Sequence, residues 1–338
     1  MPAVSVLMPC YNAAATLEET FASLAAQTHP DFEIVAVDDG SRDDTLRILR
    51  DWTEREPRLR VLAREHAGII PALNAGLEVC RGAYVARMDA DDLCVPERLT
   101  KQAAYLDAHP AVGLVASWVA GFPASALREG FRIYIDWLNS LVSDAEIKRE
   151  LFVESPFAHP SVMYRRELVQ QLGGYQEHSW AEDYDLWLRM ATAGVTFAKI
   201  PEVLVEWRDH PTRLTRSDSR YSVKNFLRAK AHYLARGPLA ESDAVIVWGA
   251  GMMGRRLGKR LLDEQVPVVA FVDIDPKKIG RTRQGKPIIS AEDFMDWWQR
   301  YPQPALLAAV GARGARDLVR QQVNDLGLVE GRDWWAAA

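Results

Sequence analysis

Cysteine is scarce in this 338-residue chain: Cys10, Cys80 and Cys94 are the three present. Their spacing fits no metal-ligand pattern and offers no second pair, so they read as reduced thiols or small buried residues. Excess positive charge is lacking as well. A net charge of −5 excludes the basic surface that non-specific nucleic-acid binding needs. No stretch approaches about 18 uninterrupted apolar residues, so no transmembrane helix is expected. The N-terminus lacks the basic-then-apolar order of a secretory signal. Together these absences point to a cytoplasmic protein, with a peripheral membrane contact left open. Apolar residues are not scarce: at 48% they suffice for packed cores, and the length exceeds one ordinary α/β domain, so two domains are expected.

What is present begins with alternation. Val4–Met8 reads as a buried strand broken by Pro9-Cys10-Tyr11-Asn12, and Ala14–Ala26 as a helix. Phe32–Val37 is a second strand ending in Asp38-Asp39-Gly40-Ser41; Leu59–Ala63 is a third, followed by Arg64 and a helix over Pro71–Cys80. Strands alternating with helices imply a parallel sheet with right-handed crossovers, whose ligands sit beyond the carboxyl ends of the strands. The run Tyr84–Arg87 then carries through Met88 into Asp89-Ala90-Asp91-Asp92. Like charges so close repel unless a cation or a donor network compensates them. Asp89 and Asp91, one residue apart, point to the same side in extended chain, which suits a hard divalent cation that also holds phosphates. A solvated loop or a helix cap is the alternative, and Asp92 fits as a cap for a helix that Pro96 opens. Three polar or acidic strand ends on one edge suggest a nucleotide and metal site.

These motifs resemble those of glycosyltransferase family 2, which has the GT-A fold, a Rossmann-like mixed sheet flanked by helices. The resemblance rests on Val4–Asn12, Val37–Ser41, Ala72–Leu77 and Met88–Asp92, then on His159–Met163, Gly173-Gly174-Tyr175 and Glu182–Leu188, in matching order over roughly the first 215 residues. It implies that Pro9, Tyr11 and Asn12 line the nucleotide-sugar site, with Tyr11 as the base's wall and Asp39 the acceptor for its N–H. Asp38 is expected to stabilise the loop through backbone bonds. Arg64 is a candidate phosphate contact, a surface salt bridge being the other reading. Asp89 is implied to touch ribose or metal and Asp91 to hold Mn²⁺ or Mg²⁺ directly. His210, in Glu206-Trp207-Arg208-Asp209-His210, resembles the family's aromatic-Arg-x-His segment and is a candidate third ligand. Trp207 stands where relatives carry Tyr, and Thr215 where they often carry Ser. His159 is expected on the acceptor side or in a turn, without a metal role.

Glu182-Asp183-Tyr184-Asp185 opens a helix, where acids favour the dipole. By propensity alone they cap and solvate it; the resemblance assigns the general base to this pair, with Asp183 preferred over Glu182. Gly121–Phe157 reads as a packed helix, with an aromatic acceptor platform as the alternative.

The C-terminal third has its own pattern. Arg220–Arg236 reads as a basic helix ended by Gly237-Pro238. The strand Ala244–Trp248 enters Gly249-Ala250-Gly251-Met252-Met253-Gly254, a helix spans Arg255–Glu264, and the strand Val268–Val272 ends at Asp273. This G-x-G-x-x-G setting with an acid about 20 residues on makes Gly249, Gly251, Gly254 and Asp273 a second nucleotide candidate. A strand over Ala305–Val310 and a helix from Ala315 continue the alternation. No Tyr-x-x-x-Lys pair follows, so a structural or protein-contact module and a nucleotide sensor are preferred to an oxidoreductase.

The expected organisation is a GT-A domain over 1–218, a helical linker over 219–242 and a small Rossmann-like domain over 243–338. The expected function is metal-dependent, inverting sugar transfer from a nucleotide-sugar, by default a UDP-sugar, to a carbohydrate or lipid-linked hydroxyl in polysaccharide or glycoconjugate synthesis. A sugar nucleotidyltransferase and a non-catalytic nucleotide-sensing scaffold are the alternatives. Membrane or protein contact through the C-terminal domain is left open, and nucleic acid is not expected as a partner.

Overall fold

The structure is a computed structural model describing residues 2–312 and 314–338. Contacts divide the chain into two units: residues 1–147, 156–178 and 182–217 form the first, and 148–155, 179–181 and 218–338 the second.

The first unit carries an eight-stranded mixed sheet. Its strands are β1 (Val4–Cys10), β2 (Phe32–Asp38), β3 (Leu59–Ala63), β4 (Tyr84–Arg87), β5 (Leu93–Cys94), β6 (Val112–Phe122), β7 (Met163–Arg165) and β8 (Thr196–Arg208), in the order β3-β2-β1-β4-β7-β6-β8-β5. The β3-β2-β1-β4 half is parallel, as the alternation requires. Beyond it β7 runs antiparallel to β4 and β6, and β5 antiparallel to β8. The helices between are α1 (Leu17–Ala25), α2 (Thr45–Arg55), α3 (Ile69–Val79), α4 (Arg98–Ala108), α5 (Glu129–Ser140), α6 (Asp144–Glu150), α7 (Arg166–Gln171), α8 (Glu182–Thr192) and the short α9 (Leu214–Ser217).

β1 continues two residues past the expected break, through Pro9 to Cys10. β4 pairs with β1 only as far as Leu7, so the N–H that Pro9 lacks has no ladder partner to lose. α1 buries Leu17, Thr20, Phe21 and Leu24, and α2 buries Thr45, Leu49 and Trp52, each a single apolar stripe against the sheet. α3 comes closer. A Cβ on Gly76 would lie 2.2 Å from Leu7 Cδ1, so glycine is what lets this helix lie on β1 and β2. α4 begins at Arg98 with Glu97 as its cap residue, so neither Pro96 nor Asp92 opens it. The region expected as a packed helix is α5, which buries Ile135 and Leu138 and rests Phe131 and Tyr134 on Trp207.

The second unit holds α10 (Val223–Arg236), β9 (Ala244–Trp248), α11 (Met252–Asp263), β10 (Val268–Val272), β11 (Thr282–Arg283), β12 (Lys286–Ile289), α12 (Phe294–Trp298), β13 (Pro304–Ala308), α13 (Ala315–Asp325) and β14 (Trp334–Ala336). Its sheet runs β11-β12-β10-β9-β13-β14. The stretch expected as a linker is mostly α10, which buries Leu227, Ala231 and Leu234 and groups with this unit. Residues 148–155 belong here too: Glu150 is ion-paired with Arg316 and Arg320, and Lys230 Nζ donates to Val153 O.

α11 starts three residues earlier than expected, so Gly254 lies inside it. A Cβ at Gly254 would sit 1.7 Å from Gly249 O, a backbone atom that cannot swing away. Gly254→Ala is therefore expected to lower stability by at least about 2 kcal/mol. An unchanged urea midpoint and slope would contradict this packing.

Candidate active site

The carboxyl ends of β1, β2 and β4 gather the expected residues. Asn12 has φ +50°, its N–H donates to Ser41 Oγ (3.0 Å), and its Oδ1 accepts from Arg42 N (2.9 Å), tying the β1 loop to the β2 loop. Tyr11 stays 42% exposed and stacks on His66, with centroids 4.2 Å apart. The pair forms an open aromatic wall, and His66 carried no signal in the sequence because nothing local marks a loop histidine as a stacking partner.

Asp39 is buried, and its carboxylate accepts from Ala67 N (3.0 Å) and Gly68 N (2.8 Å), with His66 Nδ1 2.8 Å away. Asp39 thus makes loop-holding bonds of the kind expected of Asp38; the Asp38 side chain accepts a long bond from Ser41 N (3.4 Å), and its backbone C=O accepts from Arg64 N (3.0 Å). A carboxylate has about four acceptor positions, so Asp39 retains capacity for a further donor. Arg64 Nη1 donates to Pro71 O, which pins the start of α3; no carboxylate partner of Arg64 occurs among the described residues.

After β4 the chain turns so that Asp89, Asp91 and Asp92 each offer an oxygen within 4.8 Å of the others. The three differ in environment. Asp92 is 1% exposed and turned inward, its Oδ1 accepting from Arg208 N (2.7 Å) while Oδ2 is buried without a hydrogen bond. Burial, then the charges of Asp91 and Asp89, hold its carboxyl well above the usual range. Asp89 and Asp91 are 31% exposed. Asp91 Oδ2 lies 2.8 Å from His210 Nε2, while His210 Nδ1 lies 3.0 Å from Thr212 Oγ1. β8 delivers that histidine: Arg208 at its end donates to Asp91 O and pairs with Glu19, and Asp209 is held by Arg216. The structure therefore brings His210, 119 residues away in sequence, onto Asp91. Two partly exposed carboxylates, Asp89 and Asp91, with an imidazole on the second make a donor set of the oxygen and nitrogen type that fits a Mg²⁺- or Mn²⁺-type ion.

α8 supplies the other half. Its first residue, Glu182, is 1% exposed and faces inward, whereas Asp183 is partly exposed and accepts from Tyr184 N (2.6 Å). Burial and the neighbouring Glu182 charge push the Asp183 carboxyl up to about 8. Asp185 is fully buried and pairs with Arg189, which also donates to Leu172 O and Gly174 O. Gly174, with φ +66°, would place a Cβ 2.7 Å from Asn74 Oδ1, and Asn74 bonds both the N–H and the C=O of Tyr175. The Asn74 and Gly173-Gly174-Tyr175 motifs are thus two sides of one joint that seats α8. His159 is buried against Tyr175 Oη (3.0 Å), not on an open acceptor surface.

A second residue, besides His66, had no sequence signal. Arg87, the last of β4, is 2% exposed and forms an ion pair with Asp89 Oδ1.

The family described as glycosyl transferase family 2 matches residues 5–173. The amylovoran biosynthesis glycosyltransferase AmsE of Erwinia amylovora is 37% identical over 207 residues, covering 60% of this chain and 75% of that protein. This chain belongs to glycosyl transferase family 2. It is a glycosyltransferase, and the nucleotidyltransferase and scaffold alternatives fall with that membership. The fold is shared with S. aureus TarS 1–349 in complex with UDP-GlcNAc (TM-score 0.56, 20% identity, 76% of this chain and 71% of that one). It is also shared with the mannosyltransferase PcManGT of Pyrobaculum calidifontis in complex with GDP-Man and Mn²⁺ (TM-score 0.50, 24% identity, 69% and 62%). In the second unit of the family 2 protein, residues 241–297 match a family described as C2185-like, N-terminal. Gly249 there has φ +118°, Gly251 has open space around it, and Asp273 accepts from Ala250 N, Asp275 N and Lys278 Nζ.

Proposed function

We propose that this glycosyltransferase moves a sugar from a nucleotide-sugar, by default a UDP-sugar, to a hydroxyl of a carbohydrate or lipid-linked acceptor, with inversion at the anomeric carbon. The observation that carries the reading is the placement of His210 on Asp91, together with the partly exposed Asp183. Pro9, Tyr11, Asn12 and Asp39 bind the nucleoside, with the ring of Tyr11 against the base. Arg64 serves them through the loop it pins. Asp89, Asp91 and His210 would hold Mg²⁺ or Mn²⁺, which when bound neutralises charge growing on the departing diphosphate. Asp183 takes the proton of the acceptor hydroxyl as its oxygen bonds to the anomeric carbon and the bond to the nucleotide breaks. Glu182, buried beside it, keeps Asp183 basic rather than acting on substrate. A single displacement of this kind inverts the centre.

The names of the relatives favour a place in polysaccharide or O-antigen assembly. No helix among the described residues is long and apolar enough to cross a membrane, and we place the enzyme on the cytoplasmic side, peripheral to its acceptor. The second unit serves there as a nucleotide or protein-contact module through Gly249, Gly251, Gly254 and Asp273.

The test is a panel of UDP-, GDP- and dTDP-sugars with Mn²⁺ or EDTA, scored for nucleoside diphosphate release. Slow, chelator-sensitive hydrolysis of one donor supports the reading and names the donor. Metal-independent turnover would remove the cation from it. With the donor known, Tyr11→Ala should raise its KM about tenfold and leave kcat within about twofold, since base stacking contributes roughly 1–3 kcal/mol to binding. A fall in kcat instead would place Tyr11 at the reacting centre.

A further inference from the structure

The guanidinium of Arg87 is an expensive group to bury. It is 2% exposed, its Nη1 is ion-paired with Asp89, and its Nε makes no hydrogen bond. A buried cation with an unused donor persists only where surrounding anions repay its desolvation. Strand alternation explains where they are. Ala86 faces the core cluster of Met8, Phe21 and Met163, which sends Arg87 to the opposite face of β4. On that face its charge acts on Glu182, Tyr175, His159 and Asp183 as well as on Asp89. His159 is the informative member. Burial and then Arg87 hold its imidazole well below the usual range, so it stays neutral, bonded to Tyr175 Oη, and adds no competing positive charge. The acidic motif after β4 and the acids that open α8 are far apart in sequence; Arg87 is ion-paired with Asp89 of the first, and its charge bears on Glu182 and Asp183 of the second.

We infer that Arg87 is a positioning residue shared by the two halves of the site, anchoring Asp89 on the donor side and compensating the Glu182–Asp183 carboxylates on the acceptor side. The inference rests on the donor-and-base reading above and assigns Arg87 no contact with substrate. A residue serving Asp89 alone affects donor binding. A residue serving both affects donor binding and the transfer step together, and its effect is shared with Glu182.

The experiment uses the full chain, the nucleotide-sugar identified by the panel, and the variants Arg87→Met, Arg87→Lys, Glu182→Gln and Arg87→Met/Glu182→Gln. Donor Kd is measured by calorimetry, kcat by diphosphate release, and folding by thermal melt. Arg87→Met is expected to weaken donor binding about tenfold and lower kcat about a hundredfold, because breaking a buried pair strands the other charge. Arg87→Lys is expected to recover both to within tenfold of the unaltered protein. The double variant should be no slower than Arg87→Met alone, since residues in one network do not add. A folded Arg87→Met with a raised donor Kd and unchanged kcat overturns the shared role. So does additivity with Glu182→Gln. Should Arg87→Met fail to fold, Arg87→Lys decides: near-normal values support the inference, and a folded variant a hundredfold slower overturns it. No turnover by the unaltered protein with any donor overturns the donor-and-base reading itself, and the inference with it.

Discussion

Asp183→Asn leaves donor binding intact and lowers transfer by about 10²- to 10⁴-fold, the range that positioned general bases supply. The argument is geometric first. Of the two adjacent acids at the start of α8, Glu182 is 1% exposed, and Asp183 is the more exposed of the two. Its carboxyl is pushed up to about 8 by burial and by Glu182. A base works only when deprotonated, so kcat/KM should rise with pH through an ascending limb at or below about 8. A cation at Asp91 offsets the negative field that Asp89 contributes and draws the limb downward. The stability effect has the opposite sense. With its folded value raised above the unfolded one, Asp183 holds a proton that the unfolded chain has released, so it costs stability increasingly from about pH 4 to pH 8. Asp183→Asn should therefore melt higher than the unaltered protein above pH 8 and alike near pH 4. A variant with near-normal turnover would move the base to Glu182 or elsewhere.

Asp91→Asn is the second large loss, on the order of 10³-fold in metal-dependent turnover, because a ligand to a charge-neutralising cation contributes several kcal/mol. The substitution keeps the shape and can still hydrogen-bond His210, so the loss isolates the carboxylate charge. Asp92→Asn is the contrast. Asp92 faces inward to Arg208 N, and asparagine still accepts that bond, so less than a tenfold change is expected. Equal losses in a Mn²⁺ titration of the two variants would show that position in the motif, not orientation, decides which acid binds the ion.

Much of this was legible because it is local. Strand ends, glycine turns and the paired acids of α8 are set by neighbours in sequence, and β3, β9 and β10 fall where the apolar runs place them. What escaped reading lies across the chain. His66 under Tyr11 depends on a loop held by Asp39. Arg87 looked like one polar residue at the end of a strand, because strand alternation says which face it takes but not what anions wait there. Asp92 fitted a cap on propensity, and the closer demand of Arg208 N won. Antiparallel β7 is three residues long, too short for periodicity to declare it.

The interleaving of the two units bears on how the protein can be taken apart. A chain cut after Ser217 retains residues 148–155 and 179–181, which belong to the second unit. It keeps Glu150 but removes Arg316 and Arg320, and it keeps Trp180, three residues before the proposed base, but removes His232, on which that ring packs. Such a fragment is an enzyme with loose threads at its acidic helix, so a loss of activity on truncation would say nothing about whether the second unit binds a ligand of its own. Point substitutions in the whole chain, not scissors, are the instrument for separating the two roles.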